Sequence, residues 1–216
     1  NFPYRDAIGS LLYLARGTRP DITHAVAICS QKVSEPTTDD INAVRRIFKY
    51  LNTTQDYALR IKNNNTGIQA YSDSNWGGSI DRRSMSGILI FYNGTPISWS
   101  AKKQTSIATS TTEAEYIALA KCVQELKWIN MLLTELKISS SIPIIHEDNN
   151  ACMAMVENRA TTSRTKHVDI KLHFIRDLYE KGLFKVKKIK SKDQLADALT
   201  KAVGENDLQT LCKNIF

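Results

Sequence analysis

The run Gly87-Ile-Leu-Ile-Phe-Tyr92 carries apolar side chains at every position after its glycine. A strand with one wet face alternates apolar and polar residues; a strand without that alternation is covered on both faces and lies inside a sheet. Asn93-Gly94 follows at once, the dipeptide preferred in two-residue hairpin turns, and Thr95 to Ser100 reads as the returning strand. Met85 to Ser100 therefore predicts a hairpin whose first strand is central in a sheet with layers on both sides.

The chain before this hairpin has a different period. Tyr4 to Leu14 reads as a short helix, and Arg19-Pro20-Asp21 resets the chain, with Asp21 placed to cap a helix from Ile22 to Val33. Pro36-Thr37-Thr38-Asp39 opens a third helix ending near Leu51, with Ile41, Val44, Ile47, Phe48 and Leu51 on its apolar face. Asn63 to Gly67 is a turn-rich joint. Beyond it come a strand from Gly67 to Asp73, the hairpin, a long helix from Thr112 to Leu136 and a buried strand from Pro143 to Asp148. Helices over Asn150–Asn158 and Thr165–Lys181, a strand over Leu183–Lys190 and a last helix over Gln194–Val203 complete the order β-β-β-α-β-α-α-β-α.

Composition adds bounds rather than an answer. The 216 residues, 42% of them hydrophobic, suffice for a packed core in one large or two small domains. No apolar run approaches the roughly 18 residues of a membrane helix. A net charge of +7 is compatible with polyanionic partners and proves none. Cys29, Cys122, Cys152 and Cys212 show neither metal-ligand spacing nor a disulfide framework, so reduced, buried thiols are expected. The first residues are no signal peptide and lack a starting Met, which reads as a piece cut from something longer.

Four acids stand at element boundaries: Asp73, Glu115, Asp148 and Asp197. At about 100° per residue, positions 115, 118, 119, 122, 126, 129 and 133 share one helix face and read Glu, Ala, Leu, Cys, Leu, Ile, Leu. A carboxylate heading an apolar stripe faces the interior, where it needs a cation or hydrogen-bond donors. Glu113 lies about 160° away and suits an ordinary helix-start role, in a capping box with Ser110 or Thr112. Asp73 and Asp148 end strands, where an aspartate is also an ordinary turn residue. Together with Glu115 they form a plausible divalent-cation set. Asp197 shares its helix face with Asp193, Gln194 and Lys201, which fits a solvated face or the rim of a metal site equally.

The ordered stretches Tyr71-Ser-Asp-Ser-Asn-Trp-Gly-Gly, Ser98-Trp-Ser-Ala-Lys-Lys-Gln, Ser110-Thr-Thr-Glu-Ala-Glu-Tyr-Ile-Ala, Glu147-Asp-Asn-Asn-Ala, Thr165-Lys-His-Val-Asp-Ile-Lys-Leu-His-Phe-Ile-Arg and Leu195-Ala-Asp-Ala-Leu-Thr-Lys resemble the ribonuclease H domain of copia-type LTR retrotransposon Pol polyproteins. The upstream runs Tyr4-Arg-Asp-Ala-Ile-Gly-Ser-Leu-Leu-Tyr-Leu and Thr18-Arg-Pro-Asp-Ile look like the end of the same family's reverse transcriptase, its thumb or connection region. The resemblance implies an α/β fold: a ribonuclease H-like five-stranded mixed sheet flanked by helices, preceded by a small helical segment. It divides the chain into residues 1–66, thumb- or connection-like, and 67–216, nuclease. It places the family's acidic quartet on Asp73, Glu115, Asp148 and Asp197, which would hold two Mg²⁺ about 4 Å apart, with Mn²⁺ able to substitute.

The implied activity is hydrolysis of the RNA strand of an RNA/DNA hybrid during reverse transcription. The implied partners are that hybrid and the reverse transcriptase portion of the same polyprotein, and the implied setting is intracellular, a cytoplasmic virus-like particle or the nucleus, with no membrane. Ser74, Asn75, Lys102 and Lys103 are the candidate substrate contacts. The alternative is a catalytically silent nucleic-acid-binding module from a degenerate or host-captured element. Retroviral relatives carry a His shortly before the last Asp; Lys190-Ser-Lys-Asp-Gln-Leu-Ala has none.

Lys181, Lys185, Lys187, Lys188, Lys190 and Lys192 crowd the last strand, where a charged edge that resists aggregation competes with phosphate contact. Arg45, Arg46 and Lys49 on the third helix face the same choice between a solvated face and a duplex. His167 and His173 are about 240° apart on one expected helix and cannot share a metal there. His146 on its strand reads as a core residue, and His24 has no partner in sequence.

Overall fold

The computed structural model describes residues 2–78, 81–157 and 169–216. Its centre is a five-stranded mixed sheet of β1 (Ile68–Asn75), β2 (Met85–Tyr92), β3 (Thr95–Lys103), β4 (Ile144–Glu147) and β5 (Lys185–Lys188), in the order β3-β2-β1-β4-β5. β1, β2 and β3 run antiparallel, while β4 and β5 are parallel to β1. The helices are α1 (Tyr4–Gly17), α2 (Thr23–Ser30), α3 (Thr38–Thr53), α4 (Thr111–Glu135), α5 (Asn150–Glu157), α6 (Asp169–Glu180) and α7 (Glu205–Ile215). This is the five-stranded mixed sheet flanked by helices, preceded by a small helical segment, that the resemblance implies.

β2 is buried at seven of its eight residues, because each face meets a different core. Ile88 and Ile90 join Tyr116, Leu119 and Leu126 of α4 on one side. Leu89 and Phe91 join Leu199, Leu211 and Ile215 on the other. β2 is an interior strand, as its pattern requires, although the middle of the sheet is β1. The hairpin turn puts Asn93 at φ 49° and Gly94 at φ 83°, both in the left-handed region that Asn-Gly accepts. β5 is the edge strand, with Lys185, Lys187 and Lys188 exposed, and this supports the charged-edge reading. The four cysteines are free and buried, as expected.

Two expected elements change. Asp21 does not cap α2. It lies in a 3₁₀ turn (Pro20–Ile22), where the Arg19 guanidinium donates to both its oxygens through Nε and to Oδ2 through Nη2 at 2.6 Å. A charge-assisted fork holds the carboxylate more strongly than two backbone N–H groups would. The expected last helix over Gln194–Val203 is a short 3₁₀ segment, Leu195–Leu199, and the true last helix, α7, begins after Gly204. Its spacing of Leu208, Leu211, Cys212 and Ile215 was readable, but the preceding Leu-Ala-Asp-Ala-Leu run masked it. The helix expected over Thr165–Lys181 is described from Asp169; its start and His167 lie outside the described residues.

The N-terminal helices have their own core, centred on Leu11, Val26 and Val44, and the capping box of α3 joins Thr37 to Asp40. They are also tied to the sheet layers. Trp99 Nε1 on β3 donates to the Ala15 carbonyl at 2.6 Å, and Lys62 N donates to Thr95 Oγ1 at 2.7 Å. Arg19 is the hub: beyond Asp21, it donates to Thr54 Oγ1 at 2.6 Å and lies 5.5–5.7 Å from the ring centres of Tyr50, Tyr57 and Phe216. Asp21 also accepts from Tyr50 Oη at 2.8 Å. Arg19→Ala strands a fully buried carboxylate and removes the cation from three rings. Denaturant unfolding should show a loss of about 3–5 kcal/mol, mostly recovered when Asp21→Asn is added.

Candidate metal centre

Parallel pairing of β1 with β4 runs from Gln69–Ile144 to Tyr71–His146. The chains continue past its end, so Asp73 on β1 and Asp148 just beyond β4 emerge at the same edge of the sheet. α4 crosses that face with its N-terminal turns above the two strand ends, and its buried stripe carries Glu115 inward. One oxygen from each of Asp73, Glu115 and Asp148 lies within 4.8 Å of the others. Asp73 and Glu115 are buried and Asp148 is half-buried.

The helix-face reading of Glu115 holds: residues 115, 118, 119, 122, 126 and 129 are all buried. Glu113 does the helix-start work. Its backbone N–H is capped by Ser110 Oγ, and its carboxylate accepts from Thr109 N and Oγ1. Asp197 sits on the 3₁₀ segment beside Asp73, outside the tight triad, and is paired with Lys201 at 2.7 Å. It occupies a rim, one of the two positions its pattern allowed.

The electrostatics follow from burial among like charges. Desolvation raises the Asp73 carboxyl well above the usual carboxylate range, and Asp197 and Asp148 push it further, while the Thr200 hydroxyl, donating to Asp73 Oδ2, draws it back. Glu115 is raised by desolvation and then by Asp73, Glu147 and Asp148. Glu115 Oε2 is buried without a hydrogen-bond partner among the described residues. A buried orphan carboxylate oxygen facing two other carboxylates is a donor set that suits a hard divalent cation such as Mg²⁺.

Three residues absent from the expected site support it. Glu147 is fully buried, and desolvation pushes its carboxyl up to about 8. It accepts from Asn149 N at 3.0 Å and Ser72 Oγ at 3.3 Å, so it brackets Asp148 from the preceding position. Thr200 fixes Asp73, and buried Gln194 reaches the backbone of both strands. Glu147 stood in a quoted motif, but adjacency to Asp148 hid its separate role. Gly87 is paired with Asp73 across the β1–β2 ladder, and a Cβ there would lie 2.8 Å from the Ala196 carbonyl. The glycine is what lets the 3₁₀ segment approach Asp73.

Of the other candidates, Ser74 lies beside Glu115, whose carboxyl its hydroxyl draws back down, and Asn75 is half-buried next to Gly78. Lys102 is exposed, whereas Lys103 is paired with Asp81 at 2.9 Å and donates to Gln31. His146 stacks on Tyr71 with ring centres 4.6 Å apart and shares a 2.8 Å hydrogen bond with Gln69, as a core residue would. Arg45 lies over the Phe2 ring, while Arg46 and Lys49 are exposed.

The chain is 41% identical over 215 residues to the retrovirus-related Pol polyprotein from transposon RE2 of Arabidopsis thaliana, covering 98% of this chain and 15% of that protein. It is 36% identical over 214 residues to the corresponding polyprotein from transposon TNT 1-94 of Nicotiana tabacum, covering 99% of this chain and 16% of that one. The chain belongs to the Pol polyproteins of copia-type retrotransposons. It therefore spans about one-sixth of the length of these Pol relatives. No family model matches it. Among solved structures, LC11-RNase H1, isolated from compost by a metagenomic approach, aligns with a TM-score of 0.48 at 16% identity over 62% of this Pol segment and 92% of that chain.

Asp73, Glu115 and Glu147 bind protons more readily folded than unfolded, so folding takes up protons and stability falls as pH rises. Without divalent metal, the melting temperature of this Pol segment should drop from about pH 4, where unfolded carboxyls ionise, through about pH 8, where folded Glu147 does, and on to higher pH as Glu115, raised further still, follows. Millimolar Mg²⁺ should raise it more at pH 8 than at pH 5, since the ion binds the charged carboxylates. Differential scanning fluorimetry across that range checks both slopes.

Proposed function

We propose that the chain is a metal-dependent endonuclease that hydrolyses the RNA strand of RNA/DNA hybrids during retrotransposon reverse transcription. The observation that carries the reading is the convergence of Asp73, Glu115 and Asp148, with a buried Glu115 Oε2 that has no hydrogen-bond partner among the described residues. Asp73 and Glu115, buried beside a third acid and each raising the other's proton affinity, are costly to a fold unless a cation compensates them, and membership in the copia-type Pol proteins supplies a context in which such a site acts on nucleic acid.

Asp73, Glu115 and Asp148 would hold the Mg²⁺ ions, with Asp197 completing the set at the rim. Bound there, Mg²⁺ or Mn²⁺ would neutralise phosphodiester charge and bring a water's pKa within reach of neutral pH. The chain's own groups place the carboxylates: Thr200 holds one oxygen of Asp73, and Glu147 fixes the turn carrying Asp148. Lys201 neutralises Asp197 and must yield it before that carboxylate reaches a cation. The RNA strand is selected through its 2′-hydroxyls, which DNA lacks. Ser74 and Asn75 beside the triad and exposed Lys102 are the nearest candidate contacts, and Lys103 contributes only by leaving Asp81. Residues 67–216 form the nuclease in this reading. Residues 1–66 are the end of the reverse transcriptase, whose remaining part is the partner within the polyprotein.

The test is a labelled RNA/DNA hybrid with Mg²⁺ or EDTA. Metal-dependent loss of the RNA strand with the DNA strand intact is the expected result. Asp148→Asn should bind hybrid as the wild type does and lose more than the roughly 10–100-fold in rate that outer residues are worth. Cutting by that variant at the wild-type rate would remove Asp148 from the site, and wild-type binding without cutting would show a silent binding module instead.

A further inference from the structure

The amide of Gln194 makes three contacts at the point where the site's supporting elements separate. Its Nε2 donates to the Ser72 carbonyl at 2.9 Å and to the His146 carbonyl at 3.5 Å, and its Oε1 accepts from Ala196 N at 3.3 Å. Its own backbone carbonyl accepts from Asp197 N at 3.2 Å. Ser72 immediately precedes Asp73, His146 lies two residues before Asp148, and Ala196 immediately precedes Asp197. The β1–β4 ladder ends at Tyr71–His146, so beyond that pair no registered strand pair sets the distance between the two chains. Gln194, 4% exposed, fills that gap.

The geometry matches what a primary amide offers. Two N–H groups reach two carbonyls on different strands, and one acceptor holds the second N–H of the 3₁₀ segment. An apolar side chain of the same length would leave the Ser72 carbonyl short of its partner beside the acids and release the start of that segment. Gly87 lets the segment pack against the sheet, and Gln194 sets where along the sheet it sits.

We propose that Gln194 is a positioning residue that sets the spacing of Asp73 and Asp148 and the approach of Asp197, and thereby the affinity of the centre for divalent cations. This rests on the nuclease reading above. It also gives the loop Lys190–Ala196, which has no histidine, a structural contribution to the site through its one buried amide.

The experiment titrates Mn²⁺ into the whole chain, following free Mn²⁺ by electron paramagnetic resonance, for wild type, Gln194→Met and Gln194→Glu, alongside hybrid cleavage and thermal unfolding. All titrations are run well below the lowest melting temperature of the set. Gln194→Met should bind Mn²⁺ about 10-fold more weakly and cut about 10–100-fold more slowly at fixed Mg²⁺, with KM for hybrid within about twofold of wild type. Gln194→Glu keeps the acceptor for Ala196 and loses the donors. It also should bind Mn²⁺ more weakly, whereas a purely electrostatic effect of its added charge would tighten binding. This variant decides the matter should Gln194→Met fail to fold. A lower melting temperature with unchanged Mn²⁺ affinity and kcat overturns the proposal and leaves Gln194 a merely structural residue. A wild type that neither binds Mn²⁺ nor cuts hybrid overturns the nuclease reading and this one with it. A wild type that does both, matched by the variants, overturns the role of Gln194 alone.

Discussion

Carboxylates within 4.8 Å of one another repel by roughly 3–4 kcal/mol per ionised pair at an effective dielectric of about 20. The fold holds three there by using rigid elements for each. A parallel ladder brings two strands out at the same end of the sheet, and a buried apolar stripe of α4 delivers the third acid. Asp73 cannot retreat without breaking its pairing with Gly87, nor Glu115 without exposing helix core. Asp73 and Glu115 respond instead by holding protons more readily than usual. This makes the centre responsive to any cation able to take the protons' place.

The surrounding residues answer the same constraint. Glu147, Thr200 and Gln194 tie strand ends, the Asp148 turn and the 3₁₀ segment to one another. Gly87 removes a side chain so that the segment can approach. Farther out, Arg19 joins the N-terminal helices to α7 through Asp21, Tyr50, Thr54 and Phe216, and Trp99 reaches Ala15 from the sheet. α7 in turn packs its Leu211 and Ile215 under Leu89 and Phe91 of β2. The helical segment and the sheet therefore share a continuous buried path, although each has its own hydrophobic cluster.

Much of this was legible from residue pattern because it depends on local periodicity. The doubly apolar β2 run and its Asn-Gly turn gave the hairpin. The stripe on α4 separated inward Glu115 from capping Glu113. Where long-range partners compete with local ones, the pattern failed. Asp21 has a cap signature, yet Arg19 takes both its oxygens. The Gln194–Val203 run looks helical, yet it packs closely on Gly87 as a 3₁₀ turn, and the last helix starts at Glu205. Asp197 was ambiguous because the residues sharing its expected helix face, Asp193, Gln194 and Lys201, are all polar, and its place beside Asp73 is what distinguishes it.

The amino-acid order alone determined which residues alternate, which stripe is apolar and where acids end strands, since these depend on neighbours within a turn or two of chain. It also carried the ordered motifs that mark copia-type Pol proteins. Tertiary structure alone decided that acids at positions 73, 115 and 148 share one few-ångström space and that Asp197 stands at its rim. It also decided that one glutamine amide spans three segments. Those facts depend on strand order, ladder length and helix crossing, each set by contacts between residues tens of positions apart.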